Sequence, residues 1–472
     1  AAPWMVDQVV LQVGIEPRRP DVTQYLVQHP RRAAGAPLMP QLIDQRPPAL
    51  AQQPQHDLAV GQRGVVVRDL AQPRRHVSNG VACAEQQVEL GLDQLVLNLT
   101  PKSASTLGLT GYAAQIFPYA NIALEKDDTL GAAMISGITD NTSAQNAYSQ
   151  FAPDASGGTR AIAISLTDHA TGPVAARQRA LRLYATQPGD LTLWGQEFAQ
   201  QISDKGSDGL PGFKDSGFGF ALGADGGDAL GGWYGGAFTF YTGNVDQRAP
   251  QSSRDNTQWY MLSGYSTWRG KGLFLDTQLS AGYGDLSAHR FITVGGLTRQ
   301  ANSKRSAVLG AAGMTTGANL VYGSTTFTPN IAIDGLTMRE EGYTETGGGN
   351  GFDLHVNPVL MSSLRAFVGI NARQDVNFGS FFMQPELRVG YRYDLLADRI
   401  DLTASFPSVT GTGPGTGDFT ITGPQPSKGN LLAGASIAAT TGAWSIGLNY
   451  DMLSGNNGSM TQVGTVSLVG RI

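Results

Sequence analysis

The 472-residue chain is poor in residues that several common kinds of site require. Cys83 is the only cysteine, so an internal disulfide and a multi-cysteine zinc site are excluded. Charged residues make up 15% of the chain, against about 25% in an average soluble domain. The net charge of -5 argues against a nucleic-acid-binding protein. No run of about 18 apolar residues occurs, which excludes a membrane-spanning helix.

Enzyme and metal signatures are scarce as well. The six histidines lie far apart, and none forms a pair at the spacing of helical metal ligands. No G-x-S-x-G motif is present. Glycines 347–349 lack the strand-to-helix context of a phosphate-binding turn. We therefore predict no catalytic residue, no metal site and no cofactor.

Glycine, by contrast, is abundant and unevenly distributed. It accounts for 61 residues, about 13% of the chain against a usual ~7%. Only 6 of the 61 lie in residues 1–95, which hold ten prolines, fourteen glutamines and no lysine. That composition is typical of a disordered segment, and we assign 1–95 no function. The remainder divides into a helical junction over 96–155, a helical segment over 156–189 and a strand-rich region over 190–472.

From residue 190 onward, apolar residues alternate with small or polar ones, at the period of two that marks β-strands. In 443–452, Trp444, Ile446, Leu448 and Tyr450 share one face. Small or polar residues, such as Asp451, share the other face. The alternation predicts twelve strands, at 191–202, 216–226, 232–245, 256–269, 272–287, 305–322, 324–338, 361–373, 379–395, 428–440, 443–453 and 461–472.

Two architectures fit this alternation. A β-sandwich turns its apolar face inward, whereas a transmembrane barrel turns it toward lipid. The glycine-rich polar face with isolated charges suits a lumen. Connections after even-numbered strands are short and those after odd-numbered strands longer, as in barrels with short periplasmic turns and long outer loops. Aromatic residues also recur near strand ends, as interface girdles do. They are Trp233, Tyr234, Trp259, Tyr260, Trp268, Tyr322, Tyr393 and Trp444.

These features favour an all-β fold, a 12-stranded antiparallel transmembrane β-barrel, and several segments resemble one family. Residues 146–160 read NAYSQFAPDASGGTR, and 193–195 read LWG. Residues 217–225 read GFGFALGAD, 327–333 read FTPNIAI and 341–345 read EGYTE. Residues 387–393 and 448–450 read LRVGYRY and LNY. In this order they resemble the C-terminal translocator of bacterial autotransporters, the type V secretion proteins, over about residues 96–472.

The resemblance implies a bacterial outer-membrane barrel whose lumen is crossed by the α-helix that precedes the first strand, here placed in 156–189. It implies export or surface display of an N-terminal passenger, of which 1–95 would be an atypical remnant. The implied partners are outer-membrane lipid, the barrel-assembly machinery and the chain's own passenger, and the barrel is expected to be monomeric. The family's C-terminal assembly signal corresponds to Val466, Leu468 and Ile472, but the usual terminal Phe or Trp is absent.

Charged residues in the lumen segment and on the polar strand faces are predicted to pair. A charge at membrane depth is costly unless it meets water or a partner. The helix arginines are Arg177, Arg179 and Arg182. The candidate lumen acids are Asp225, Asp276, Asp334, Glu386 and Asp451, and the candidate lumen cations are Arg388, Arg392 and Arg471. We expect the helix arginines to pair with lumen acids and hold the helix in the pore. The alternative is that these charges are solvated in a wet lumen.

Other functions stay open at this point. One is an outer-membrane pore or loop-mediated adhesin without passenger export, which would bind through the long 396–427 loop. Another is a barrel enzyme that uses His289 or His355 on outer loops. Because some family members cut their passenger inside the barrel at an asparagine, Asn141 and Asn146 are candidate cleavage sites.

Overall fold

The computed structural model describes residues 65–67, 84–90, 95–154, 156–168, 172–182, 189, 191–206, 211–228, 231–248, 252–380, 382–396 and 399–471. Most of 1–95 therefore lies outside the described residues. The chain divides into two compact units. One comprises 1–110, 124–147 and 293–297, and the other comprises 111–123, 148–292 and 298–472.

The first unit contains a small antiparallel sheet of Val65–Val67, Ala84–Leu90 and Leu95–Pro101, with the last strand in the middle. Val88 pairs with Leu97 in this sheet.

Five helices follow in the described residues. They are α1 Gly111–Leu124, α2 Asp128–Gly137, α3 Asn141–Ser149, α4 Gly158–Thr167 and α5 Pro173–Leu181. The Asp127 carboxylate caps α2 by accepting the Leu130 N–H at 3.1 Å. Helix α1 contains Pro118 and continues through it. Pro173 occupies the first turn of α5, where its missing N–H costs nothing. Within the described residues, no helix is long and apolar enough to cross a membrane.

Twelve long strands form the β-barrel, so the predicted fold class and strand number are confirmed. They are β1 Leu191–Ser203, β2 Phe213–Gly227, β3 Gly232–Gln247, β4 Ser252–Gly270, β5 Leu273–Val294, β6 Leu297–Ala318, β7 Thr325–Glu340, β8 Val359–Gln374, β9 Phe382–Asp394, β10 Gly429–Thr441, β11 Trp444–Gly455 and β12 Met460–Arg471. Each strand pairs with the next, and β12 closes the barrel on β1, where Val466 faces Glu197 across the seam.

The connection between β5 and β6 differs from the prediction. The sequence predicted a long loop over 288–304, but the two strands run on to a tight turn at Gly295 and Gly296. Both glycines have positive φ, at 55° and 78°. His289 and Arg290 lie in this extension, where strand pairing continues without an apolar outward face.

The outward face of the barrel is apolar and the inward face is polar. Trp444, Ile446, Leu448 and Tyr450 are 47–58% exposed, whereas Asp451, the residue after Tyr450, is fully buried. A soluble sandwich would show the reverse. Six of the eight predicted girdle aromatics lie outward. Trp233 and Trp259 do not: they are buried inside the barrel, so assigning them to a girdle was wrong.

Two long connections build a second small sheet, which we call the loop sheet. The β7–β8 connection supplies Tyr343–Thr344 and His355–Val356, and the β9–β10 connection supplies Asp401–Ser405 and Phe419–Thr422. These four short strands pair antiparallel in chain order. We call the end of the barrel that bears these connections the outer end, and the opposite end, with the short turns, the inner end.

Candidate functional site in the barrel lumen

Helix α5 lies in the lumen and is held by ion pairs to the barrel wall. Arg177 donates two hydrogen bonds to Asp225 of β2, both at 2.7 Å. Tyr265 of β4 donates to the same carboxylate at 2.8 Å, and the Trp194 indole donates to the Tyr265 hydroxyl at 2.7 Å. Arg177 and Asp225 are both buried, so the pair is shielded from water and fixed by further donors.

The C-terminal end of α5 is anchored in the same way. Arg182 contacts Asp276 of β5 at 2.6 and 2.5 Å, and its guanidinium lies 4.2 Å from the centre of the Phe274 ring. Gln178 donates to the backbone carbonyls of Ser266 and Thr277 at 2.9 and 2.8 Å. The last turn of α5 therefore contacts both β4 and β5.

The third arginine of α5 contributes to a shared cluster. Arg179 lies 3.9 Å from Asp451 of β11, and Arg388 of β9 reaches the same carboxylate at 2.7 Å. Arg388 also contacts Glu386, two positions away on its own strand, at 3.0 Å. Burial removes water from all four charged groups, which is costly for each charge. The carboxylates of Asp451 and Glu386 compensate the guanidiniums of Arg179 and Arg388.

The predicted acid Asp334 has a wall partner. Arg365 of β8 contacts Asp334 and also lies 3.0 Å from Asp168, the residue that ends α4. Arg392 of β9, a predicted lumen cation, contacts Asp168 as well. Near the outer end of β9, Arg160 of α4 lies 3.8 Å from Asp394. The helical segment thus contributes an acid here, whereas the prediction for it named only arginines.

Sequence reasoning did not assign a pairing role to Arg160, Asp168, Arg365 or Asp394. Arg365 could have been found, because it shares the inward face of β8 with Ser363 and Asn371. Asp168 follows the last turn of α4, and its partners come from strands about 200 residues away. No local pattern identifies such partners.

The remaining predicted residues lie elsewhere. Val466 and Leu468 face outward and are 48% and 52% exposed. Ile472 lies outside the described residues. Arg471 lies at the inner end of β12, where its N–H donates to the Ala443 carbonyl at 3.0 Å. Asn141 and Asn146 are exposed on α3. In the described part of the chain, no three His, Cys, Asp or Glu side chains are arranged to hold a metal.

The chain has a defined direction through the lumen. At the outer end, a Cβ on Gly158 would lie 2.4 Å from the Val245 side chain and 3.3 Å from Phe213, which begins β2. At the inner end, Val174 and Leu181 pack with Trp194 and Trp233. Helices α4 and α5 therefore follow one another from the long-connection end to the short-turn end, where β1 begins.

The closed 12-stranded barrel matches known proteins. A sequence model described as "Autotransporter beta-domain" matches residues 193–451, more than half of the chain. The chain belongs to the autotransporter β-domain family. No curated protein sequence matches it.

Solved autotransporter structures resemble this barrel. The translocator domain of NalP from Neisseria meningitidis shares 15% identity at a TM-score of 0.50, over 67% of this chain and 97% of that one. The transport unit of AIDA-I from Escherichia coli shares 16% identity at a TM-score of 0.43, over 67% and 99%. The Bordetella BrkA β-domain shares 16% at 0.42, over 59% and 98%. At this level of identity the likeness to NalP concerns the fold.

Proposed function

We propose that this autotransporter barrel inserts in the bacterial outer membrane and exports or displays an N-terminal passenger at the cell surface. The direction of the chain through the lumen carries the proposal. Because α4 and α5 follow one another from the outer end to the inner end, the chain enters the lumen at residue 158 from the outer side. A passenger attached there would end outside the cell.

The buried ion pairs suggest what holds α5 in the pore after export. Arg177, Arg179 and Arg182 are each at most 9% exposed, so they are poorly described as charges solvated in an open channel. In the proposal they retain α5 and keep the barrel from leaking. A simple pore has no need of such a helix, which disfavours the pore or adhesin alternative.

A surface-display assay tests the export proposal. A reporter is fused ahead of residue 96, behind an export signal, and surface exposure is measured by external protease on intact cells. We expect the reporter to be cleaved from outside. The control is the same reporter and signal without residues 96–472, which should stay in the periplasm. A reporter that stays protected while the barrel is folded in the membrane would refute the proposal.

We also propose that the outward residues Val466 and Leu468, with Ile472, form the signal for the barrel-assembly machinery. An aromatic end is the stronger family signal, so Ile472→Phe should raise the fraction of folded barrel, measured by its shifted gel mobility before heating. An equal or lower folded fraction would argue against this assignment.

A further inference from the structure

The loop sheet has one covered and one exposed face. Leu402, Ala404, Phe419 and Ile421 are buried, whereas Thr420 and Thr422 on the other face are exposed. The covered face is lined by aromatic and aliphatic side chains, unlike the charged lumen. It is therefore suited to bind an apolar segment of chain at the outer end of the barrel.

Helix α1 is the first segment in contact with this face. The Tyr119 and Phe419 rings lie 5.1 Å apart between centroids. A Cβ on Gly415 would lie 2.5 Å from the Pro118 carbonyl oxygen and 2.9 Å from the Ile122 side chain. The loop that precedes Phe419 thus contacts the backbone of α1 directly, which only a residue without a side chain allows.

The second segment is the stretch that enters the lumen. Phe151 packs edge-on against Phe352 at 5.7 Å and against Phe406 at 6.3 Å. Phe406 in turn lies 5.8 Å from Phe419. Arg290 donates to the Gln150 carbonyl at 2.9 Å and covers the Phe352 ring at 3.8 Å. Phe151 precedes α4 by only a few residues, so it lies just outside the lumen, at the outer end of the barrel.

The loop sheet is held in place by contacts among the barrel connections and the outer end of β5. The Asn357 N–H donates to the Thr403 carbonyl at 2.9 Å, which joins the two connections. Arg290 of β5 pairs with Glu345 of the β7–β8 connection, and the Glu345 carboxylate accepts the Leu354 N–H at 2.9 Å. The surface can therefore be in place before the junction reaches it.

We propose that the loop sheet binds the junction as it emerges from the lumen, through Phe151 and α1, before passenger export is complete. We call this binding role the catch. This inference rests on the proposed function. A chain in a wet pore can slide either way, and burial of aromatic surface on the outer side favours the outward position. The occupant of the surface is the chain's own segment 111–123 with 148–152.

Crosslinking tests the order of events. In a Cys83→Ser background, Pro118→Cys and Thr416→Cys flank the contact between α1 and the loop sheet, and a short thiol crosslinker joins them. The full chain carries either a stably folded reporter ahead of residue 96, which stalls export, or its destabilised variant, which passes. We expect similar crosslink yields in both. A crosslink confined to chains with an exported reporter would overturn the catch. A pair of Pro118→Cys with Asn457→Cys serves as the negative control.

Export kinetics provide the second measurement. Phe406→Ser with Phe419→Ser should slow surface appearance of the destabilised reporter several-fold, in barrels that keep their folded gel mobility. Thr403→Ala with Thr420→Ala, on the exposed side of the same strands, should export like the parent chain. Parent-like export by the Phe variants would overturn the catch while leaving the proposed function intact. If the parent chain itself never exposes the destabilised reporter, the proposed function fails.

Discussion

At the scale of single residues, the lumen holds guanidinium and carboxylate groups that would be unstable alone. Desolvation makes an isolated buried charge costly, and a partner with good geometry compensates for most of that cost. Arg177 and Asp225 meet this condition, because the contact is bidentate and Tyr265 supplies a further donor. Such a pair need not be more stable than two apolar residues at the same positions. Removal of one partner, however, leaves the other as an uncompensated buried charge.

Arg177→Ala should therefore destabilise the barrel by about 3 kcal/mol, within the ~3–5 kcal/mol range for breaking a buried pair. Adding Asp225→Asn should restore part of the loss, because the uncompensated carboxylate is removed. The free energy of unfolding in detergent micelles measures both. Additive losses in the double variant would contradict the pairing.

Asp154 gives the fold a pH dependence. It accepts hydrogen bonds from the Ser156 N–H at 2.9 Å and the Gln247 amide at 3.0 Å. Burial and the negative charge of Asp255 raise the pKa of the Asp154 carboxyl to about 6, from an ordinary 3.8. The folded state then binds more protons than the unfolded state between these two values, so stability falls as pH rises through that window. Asp154→Asn mimics the protonated acid, so its unfolding midpoint should depend less on pH between pH 4 and 7 than that of the parent chain. The same pH dependence in both chains would refute this role.

Residue roles were predictable only in part. Alternation gives the face of a strand residue, and this was enough to select Asp225, Asp276 and Asp451 as inward acids. Partners depend on the register between distant strands and on the rotation of α5, which a single sequence does not specify. Asp334 illustrates the limit: the candidate partners were on the helix, whereas Arg365 on the next strand contacts it.

At the scale of elements, glycine makes room for the lumen contents. A Cβ on Gly223 would lie 2.4 Å from the Trp194 ring, and one on Gly284 would lie 2.9 Å from Trp259. Inward glycines thus make room for bulky aromatics inside the barrel, and Trp194 packs with Val174 and Leu181 of α5. The glycine excess was visible in the sequence, but the inward position of Trp233 and Trp259 was not. A strand-end aromatic fits a girdle and a lumen core equally well.

Helix α5 should leave the pore when its three arginines are removed. Arg177→Ala, Arg179→Ala and Arg182→Ala together abolish its side-chain ion pairs to β2, β5 and β11, so single-channel conductance in planar bilayers should rise. Arg254→Ala is the matched control, because its pair with Asp246 is about half exposed and should matter little. Unchanged conductance in the triple variant would show that the helix is held by other contacts.

At the scale of the whole molecule, the strand number followed from local patterns. Alternation and turn lengths predicted all twelve strands, because the side-chain period and the short inner turns are local properties. The loop sheet and the long β5–β6 hairpin could not be predicted in this way. Both form from polar or irregular sequence whose pairing depends on the barrel beneath.

The central claim is that the chain before the lumen segment lies on the cell-surface side. Cysteine labelling with an impermeant maleimide tests it directly, in a Cys83→Ser background. Gln115→Cys lies on the exposed side of α1, and Lys271→Cys lies in the short turn between β4 and β5. The account predicts that Gln115→Cys is labelled on intact cells and Lys271→Cys only after the outer membrane is permeabilised. Labelling of Lys271→Cys on intact cells, with Gln115→Cys protected, would contradict it.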